Sequence, residues 1–525
     1  MKKLTILTIC CVAAFAQHNH PAAAGEKPVA LYPGLGIWKH PIGTKNAEAQ
    51  KFFDQGLVLL YGFNRPEAIR SFRKVLELDP KAAMAYWGIA MAMGPYLNMD
   101  MDPDLDTKKA CAESDAGLKI ASAADRPWLE ATSARCPDFS DPAKYVAAMK
   151  TVAQKFPDDP DAQTWYAEAL MLPIRWRWYD VNGNPGPGIQ DAERILEATL
   201  LRYPDHPGAN HFYIHAVESS PTPQRAVPSS QKLMGIVPWA GHMVHMPGHI
   251  WLVLGEFNTT VDVNTRAAQV DREFFEKTGM MSSYYGYYLH NLQFILYARS
   301  MQGRVAETKK AAMAVKEAGQ PMASMMPEMI DVFDLTALFS ALRNYQYEEV
   351  IATPKPASKN LVAEWGWRYA RGVALAAKDR KKEARAEFEA FQKVAIDRNS
   401  LWGINPMSGV ADLATAVFEA RLDGSPAKWR KAVECQDKLV YDEPPAWYYP
   451  VRESLGASLL LSGDAAGAEE VFRDGVRRSP HNGRMLFGLL ESLKAQKKLE
   501  AAAWVQREFE TAWKGSEIVL KIRDL

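Results

Sequence analysis

The 525-residue chain has no charge of one sign to spare: 62 Lys and Arg stand against 62 Asp and Glu. A nucleic-acid footprint needs a basic excess on some face, so nucleic acid is not an expected partner. No unbroken apolar stretch approaches the roughly 18 residues of a membrane-spanning helix. Cysteines number only five, and none are spaced CxxC, which argues against a thiolate zinc site and a redox dithiol. HExxH, GxSxG and a Walker-type phosphate loop are also missing, so the familiar hydrolase and nucleotide chemistries lose their usual signatures.

What is present begins with MKKLTILTICCVAAFAQ. Lys2 and Lys3, a short apolar run and small residues at Ala14 and Ala16 have the layout of a secretory leader, with cleavage expected after Ala16. Cys10 follows bulky Ile9 where a lipid-attachment signal has a small residue. The expectation is therefore an exported protein, periplasmic or secreted: leader 1–16, an N-terminal extension over 17–45, and one long body over 46–525. In an oxidising compartment Cys111 and Cys136 could pair, leaving Cys435 over.

The body repeats itself. Gly56, Ala68, Phe72 and Pro80 fall at the intervals at which Gly456, Ala468, Phe472 and Pro480 recur near the C-terminus, with Gly463 in the turn of the later copy. Small residues suit the crossing of two helices, the aromatic fills the gap between them, and the proline ends the second helix. The pattern resembles the tetratricopeptide repeat. Weaker copies carry Gly372, Ala384 and Phe388, and Gly255, Phe257 and Ala267. The resemblance implies an all-α, tetratricopeptide-like helix-hairpin solenoid of roughly ten units, curved into a superhelix with a concave groove. Segments near 94–142 and 173–190 fall outside the frame and are expected as insertions. The second contains Trp176, Trp178 and Tyr179.

Five of the 11 histidines lie within residues 211–249, where an even scatter would put about one. NHFYIHAVE places His211, His215 and Glu218 on one helical face, and GHMVHMPGHIW does the same for His242, His245 and His249. In the tetratricopeptide family the groove positions follow the crossing residue by one and precede it by three and six. With Gly248 as the crossing residue, the resemblance implies that His249, His245 and His242 line the groove. With Ile214 and Leu296 in that slot, His215, His211 and His290 join them.

Imidazoles converging from neighbouring helices suit a transition metal, zinc or copper first. The expected ligands are His211, His215, His245 and His249. Glu218 is either a fifth ligand or a general base on metal-bound water. His242 and His290 are expected together, orienting or protonating a small molecule or peptide bound in the groove. Met243 and Met246 lie off the histidine stripe and are expected in the core, while Pro247 is expected to kink its helix. Glu168 and Asp180 are weaker ligand candidates, and the tyrosines 284, 285, 287 and 288 are either a lid or packing. The competing expectation is a non-catalytic periplasmic or cell-envelope scaffold that binds proteins through the groove.

Overall fold

In the computed structural model, which describes residues 27–98, 105–137, 139–279, 282–322 and 327–525, the chain is a succession of antiparallel helix pairs. The leader and residues 17–26 lie outside the described residues. The first pair, Ala47–Tyr61 and Arg65–Leu78, shows how sequence becomes packing. Asn46 caps the first helix by accepting from the backbone N–H of Glu48 and Ala49. Phe72 fills the crossing. A Cβ added to Gly56 or Gly88 would lie 2.6 or 2.5 Å from its ring, so glycine on both neighbouring helices is what admits it. Burying such a ring stabilises by about 1.5–3 kcal/mol. Phe472 occupies the same place between Gly456 and Gly488.

Among the described residues the only sheet is a two-residue ladder, Leu401–Trp402 with Asn405–Pro406. The stretch near 94–142 is itself largely helical. Thr107–Ile120 packs on Ala83–Met93, and Arg126–Ser133 packs on Pro142–Lys155. A Cys111–Cys136 disulfide joins this stretch, and Cys435 is free. Of the stretch 173–190, residues 175–188 form an irregular loop between the short turn Leu172–Ile174 and the helix Ile189–Arg202, pinned by the buried Trp178, whose Nε1 donates to Met171 O at 3.1 Å.

One core spans residues 32 to 287 and another 339 to 525, each built from successive pairs. The winding brings the C-terminal pairs back against the middle of the chain. Arg478 Nη1 donates to Val181 O at 3.1 Å, His481 lies 3.3 Å from Glu256, and Gly255 sits against the carbonyl of Pro480. No helix among the described residues is long and apolar enough to cross a membrane.

Candidate metal centre

Three neighbouring first helices supply the histidines: Pro207–Glu218, the broken pair Gly241–His245 and Pro247–Val253, and Tyr285–Met301. The break falls at Pro247, which has no N–H to give and turns the chain between His245 and His249. Met243 and Met246 are fully buried core residues.

The rings form one seam. His211 lies 4.9 Å from His215 and 5.0 Å from His242, centroid to centroid. His245 lies 4.7 Å from His249 and 4.8 Å from His290. Ligand atoms of His211, His215 and His242 all lie within 4.8 Å of one another, as do those of His245, His249 and His290, and those of His215, Glu218 and His249. All six expected histidines and Glu218 therefore come together. The pairing does not follow the sequence expectation: His242 joins His211 and His215, and His290 joins His245 and His249.

Each of four rings is held by its Nδ1 edge. The His211 N–H donates to Tyr61 O at 2.6 Å and that of His245 to Asn264 Oδ1 at 2.6 Å. Asn264 is itself oriented, because its Nδ2 donates to Thr260 O at 2.8 Å. Glu218 takes the other two, accepting from His215 at 3.0 Å and from His249 at 2.7 Å through separate oxygens. That fixes the tautomer and leaves each Nε2 turned to the seam, which is how ligating imidazoles are usually braced. Nε2 of His211, Nε2 of His215 and both ring nitrogens of His242 are buried without a hydrogen-bond partner. Such atoms cost about 1–3 kcal/mol each when nothing satisfies them. The His245 and His249 Nε2 atoms face each other at 2.8 Å. Two acceptors at that distance require a cation between them, a proton or a metal ion.

Burial, reinforced by neighbouring imidazoles, lowers the pKa of His211, His242 and His245, and burial first among several causes lowers His290 to about 3. Burial also lowers His215, against the pull of Glu218. These rings are neutral at physiological pH, the form that ligates metal. His249 is the exception: burial opposes its charge, but Glu443 and Glu218 outweigh burial and raise it to about 10. Burial works to raise Glu218, yet His249 and His215 bring it down to about 2.

The groove expected to display these rings is closed. His211, His215, His242, His245 and His249 are buried and His290 is half-buried. Phe63 packs on His211, His215 and His242 at 4.6, 6.1 and 5.2 Å. Phe294 covers His245, His249 and His290 at 4.7–5.1 Å, and Tyr287 lies 4.3 Å from His242. Trp176 and Trp178 each stand 6.0 Å from His215, so the irregular loop also walls the centre. Tyr284 accepts from the His242 backbone N–H at 3.0 Å and donates to Asp271 at 3.2 Å. Glu443 arrives from a loop of the C-terminal half and ion-pairs with His249. The superhelix returns over its own concave face here, and sequence-local reasoning had no access to that.

Glu168 and Asp180 do not reach the seam. Glu168 is buried among Tyr145, Arg135 and Arg175, its carboxyl raised by burial to about 7. Asp180 is exposed and closes a turn by accepting from the N–H groups of Asn182 and Asn184. The residues missed by sequence reasoning are Phe63, Asn264 and Glu443. The first two carried a signal. Phe63 stands where the turns of other units have Gly255, Gly303 and Gly463, and Asn264 stands where regular units have Phe72 and Phe472.

A second cluster, His40, Asp159 and Asp161, is internally satisfied. Asp161 accepts from Tyr61 Oη at 2.6 Å, His40 at 3.0 Å and Trp38 Nε1 at 3.2 Å, and lies 3.2 Å from His206 Nε2. It braces the backbone that holds His211.

Residues 454–516 match the family model described as tetratricopeptide repeat. No curated protein matches the chain. Among solved structures it is similar to a human IFIT1 dimer with m7Gppp-AAAA, at 11% identity and a TM-score of 0.35, over 90% of this chain and 91% of that one. Yeast Tom70 gives 13% identity and a TM-score of 0.34 over 88% and 90%. The Cut9 chain of an APC/C hetero-tetramer, Cut9-Hcn1, gives 12% and 0.31 over 86% and 78%. Scores this low carry nothing about ligand, partner or activity.

Proposed function

We propose that this chain, whose residues 454–516 match the tetratricopeptide repeat model, is an exported repeat protein organised around a histidine-rich transition-metal centre. The observation that carries the reading is the bracing of four imidazoles by their Nδ1 edges, which turns the Nε2 atoms of His211, His215, His245 and His249 into one buried seam. Zinc or copper suits such donors first. The ligand at the ion is a small molecule, because a seam enclosed by Phe63, Phe294 and Tyr287 leaves no room for a peptide. Glu218 has both oxygens on imidazole edges, so holding two rings is the part its geometry favours over fifth ligand or general base. Export is supported by the leader-like N-terminus and by the Cys111–Cys136 disulfide.

Metal analysis of protein purified without a histidine tag tests the centre. The wild type should retain transition metal, and His245→Ala with His249→Ala should lose most of it. Less than about 0.2 equivalents in the wild type, unchanged by the double substitution, would sink the metal reading. The scaffold reading would then stand alone. It is favoured in its own right by the regular C-terminal pairs, 454–516, which carry the family match and none of the six seam histidines; repeats of this kind present surfaces to protein or peptide partners.

A further inference from the structure

The donors of the seam fall into two sets of three. No histidine belongs to both, and a third group, His215, Glu218 and His249, takes one histidine from each. One set is His211, His215 and His242, and the other is His245, His249 and His290. Ring centroids stand 4.7–5.0 Å apart for four pairs inside the sets and 6.0 Å for His249 and His290, with 5.5 Å across the sets from His215 to His249 and from His242 to His245. A metal–nitrogen bond is about 2.0–2.1 Å. Cis ligands on one ion then stand roughly 3 Å apart, close to the 2.8 Å between the His245 and His249 Nε2 atoms.

We infer that the centre holds two transition-metal ions, one on His211, His215 and His242 and one on His245, His249 and His290. This rests on the metal reading above and specifies it. Glu218 is the link: one oxygen braces His215 in the first set and the other braces His249 in the second. A single carboxylate orienting one ligand of each ion couples their positions. The unpartnered nitrogens gather in the first set, so a single ion bound by the second would leave those four atoms unsatisfied. Three imidazoles on each ion would leave a coordination position open to a small oxygen donor. The ligand class is therefore water, hydroxide or another small oxygen ligand. Negative charge is supplied nearby by Glu218 and by Glu443, which ion-pairs with His249.

The full-length, tag-free protein is stripped with chelator, loaded with excess Zn²⁺, desalted and analysed for zinc per chain. The expected content is about two equivalents in the wild type and about one in each of His242→Ala and His290→Ala. About one equivalent in the wild type, lost with one substitution and kept with the other, overturns the two-ion inference and preserves a single centre. No retained zinc overturns both. Loading the wild type with Cu²⁺ gives a readout independent of whether the variants fold: about two coppers per chain are expected, and one copper per chain with a spin count equal to it overturns the pair.

Discussion

The unit at Arg452–Leu461 and Ala465–Arg478 and the unit at Gly241–Val253 and Phe257–Thr278 share one frame and use it for opposite ends. In the first, Gly456 admits the ring of Phe472, sixteen residues later, and the crossing is apolar. In the second, Gly248 is followed at the same interval by Asn264, and a Cβ on Gly248 would lie 2.5 Å from the Asn264 Nδ2. The close approach that lets a ring into an ordinary repeat here lets an amide into the core, where its oxygen takes the His245 N–H. The turns differ in the same way. Gly463 and Gly255 occupy the left-handed region at φ 92° and 76°, while the unit at Ala47–Tyr61 and Arg65–Leu78 puts Phe63 there at φ 56° and spends the position on a ring against three histidines. A non-glycine residue in that region stores about 1 kcal/mol or more of strain. A buried histidine cluster has been made from a structural repeat by exchanging residues at the crossing and the turn.

The widest separation between the two regions should come from their aromatic positions. Phe472→Ala removes a ring from a filled crossing and should destabilise by about 3–5 kcal/mol, with metal content unchanged. Phe63→Gly should lose a similar contact but regain about 1 kcal/mol from its relaxed turn, and metal content should fall. Denaturant unfolding and metal analysis on the same samples separate them. Equal metal retention in both variants would reduce Phe63 to ordinary packing.

Next in size is Asp161→Asn, which leaves His40 and His206 facing a neutral group and should cost about 3–5 kcal/mol near pH 5–6. Burial would raise the Asp161 carboxyl, but its hydrogen bonds with His206 and His40 hold it well below the ordinary range. Its contribution is therefore full above its unfolded pKa, about 4, and is lost as pH falls through the folded value. His40 is raised, with burial opposing and Asp161 prevailing. Its share is complete below about pH 6.5 and is lost as pH rises through its folded value. Wild-type and variant stabilities should thus converge in acid and draw closer again in base. A constant gap across pH would mean the substitution acts through packing alone.

The repeat was legible because its cause is local. Gly56 with Phe72 and Gly456 with Phe472 must recur at a fixed interval for two helices to cross, and that interval is visible without coordinates. The phase of His211, His215, His242, His245 and His249 was legible for the same reason, since helical geometry alone puts them on one face. Partnership was not: His242 meets His211 and His215 while His290 meets His245 and His249, and contacts between helices are not encoded by spacing within one motif. Closure was not legible either, because Glu443 reaches His249 only after the superhelix has returned from some 190 residues downstream. Asn264 and Phe63 lie between these cases. Both depart from the pattern at fixed slots, and a departure at a slot with a known packing role is a signal that the slot has been given other work.

Asn264→Leu tests that principle at a smaller scale. It restores an apolar residue to the crossing slot at similar volume but leaves the buried His245 N–H without its acceptor, so it should cost about 1–3 kcal/mol. Loss of the brace on His245 should weaken Zn²⁺ binding about 10–100-fold, measured by competition with a chromophoric chelator. Unaltered affinity would show that His245 is held without it.

The smallest effect is expected at Pro247, and its sign is informative. Pro247 withholds one helical hydrogen bond, and the chain steps through a tighter turn in which His249 N–H donates to Met246 O at 3.1 Å. Pro247→Ala restores a donor but frees the unfolded chain, and the two terms oppose, so net stability should shift by no more than about 1 kcal/mol. The site should feel the change more than the fold does. Straightening the helix rotates His249 away from Glu218 and His290 while leaving His242 with His211 and His215, so zinc should be lost from one set and kept by the other. A variant that binds as the wild type does would make the break a tolerated flaw in the repeat; selective loss would identify it as the feature that divides one stripe of histidines into two sets.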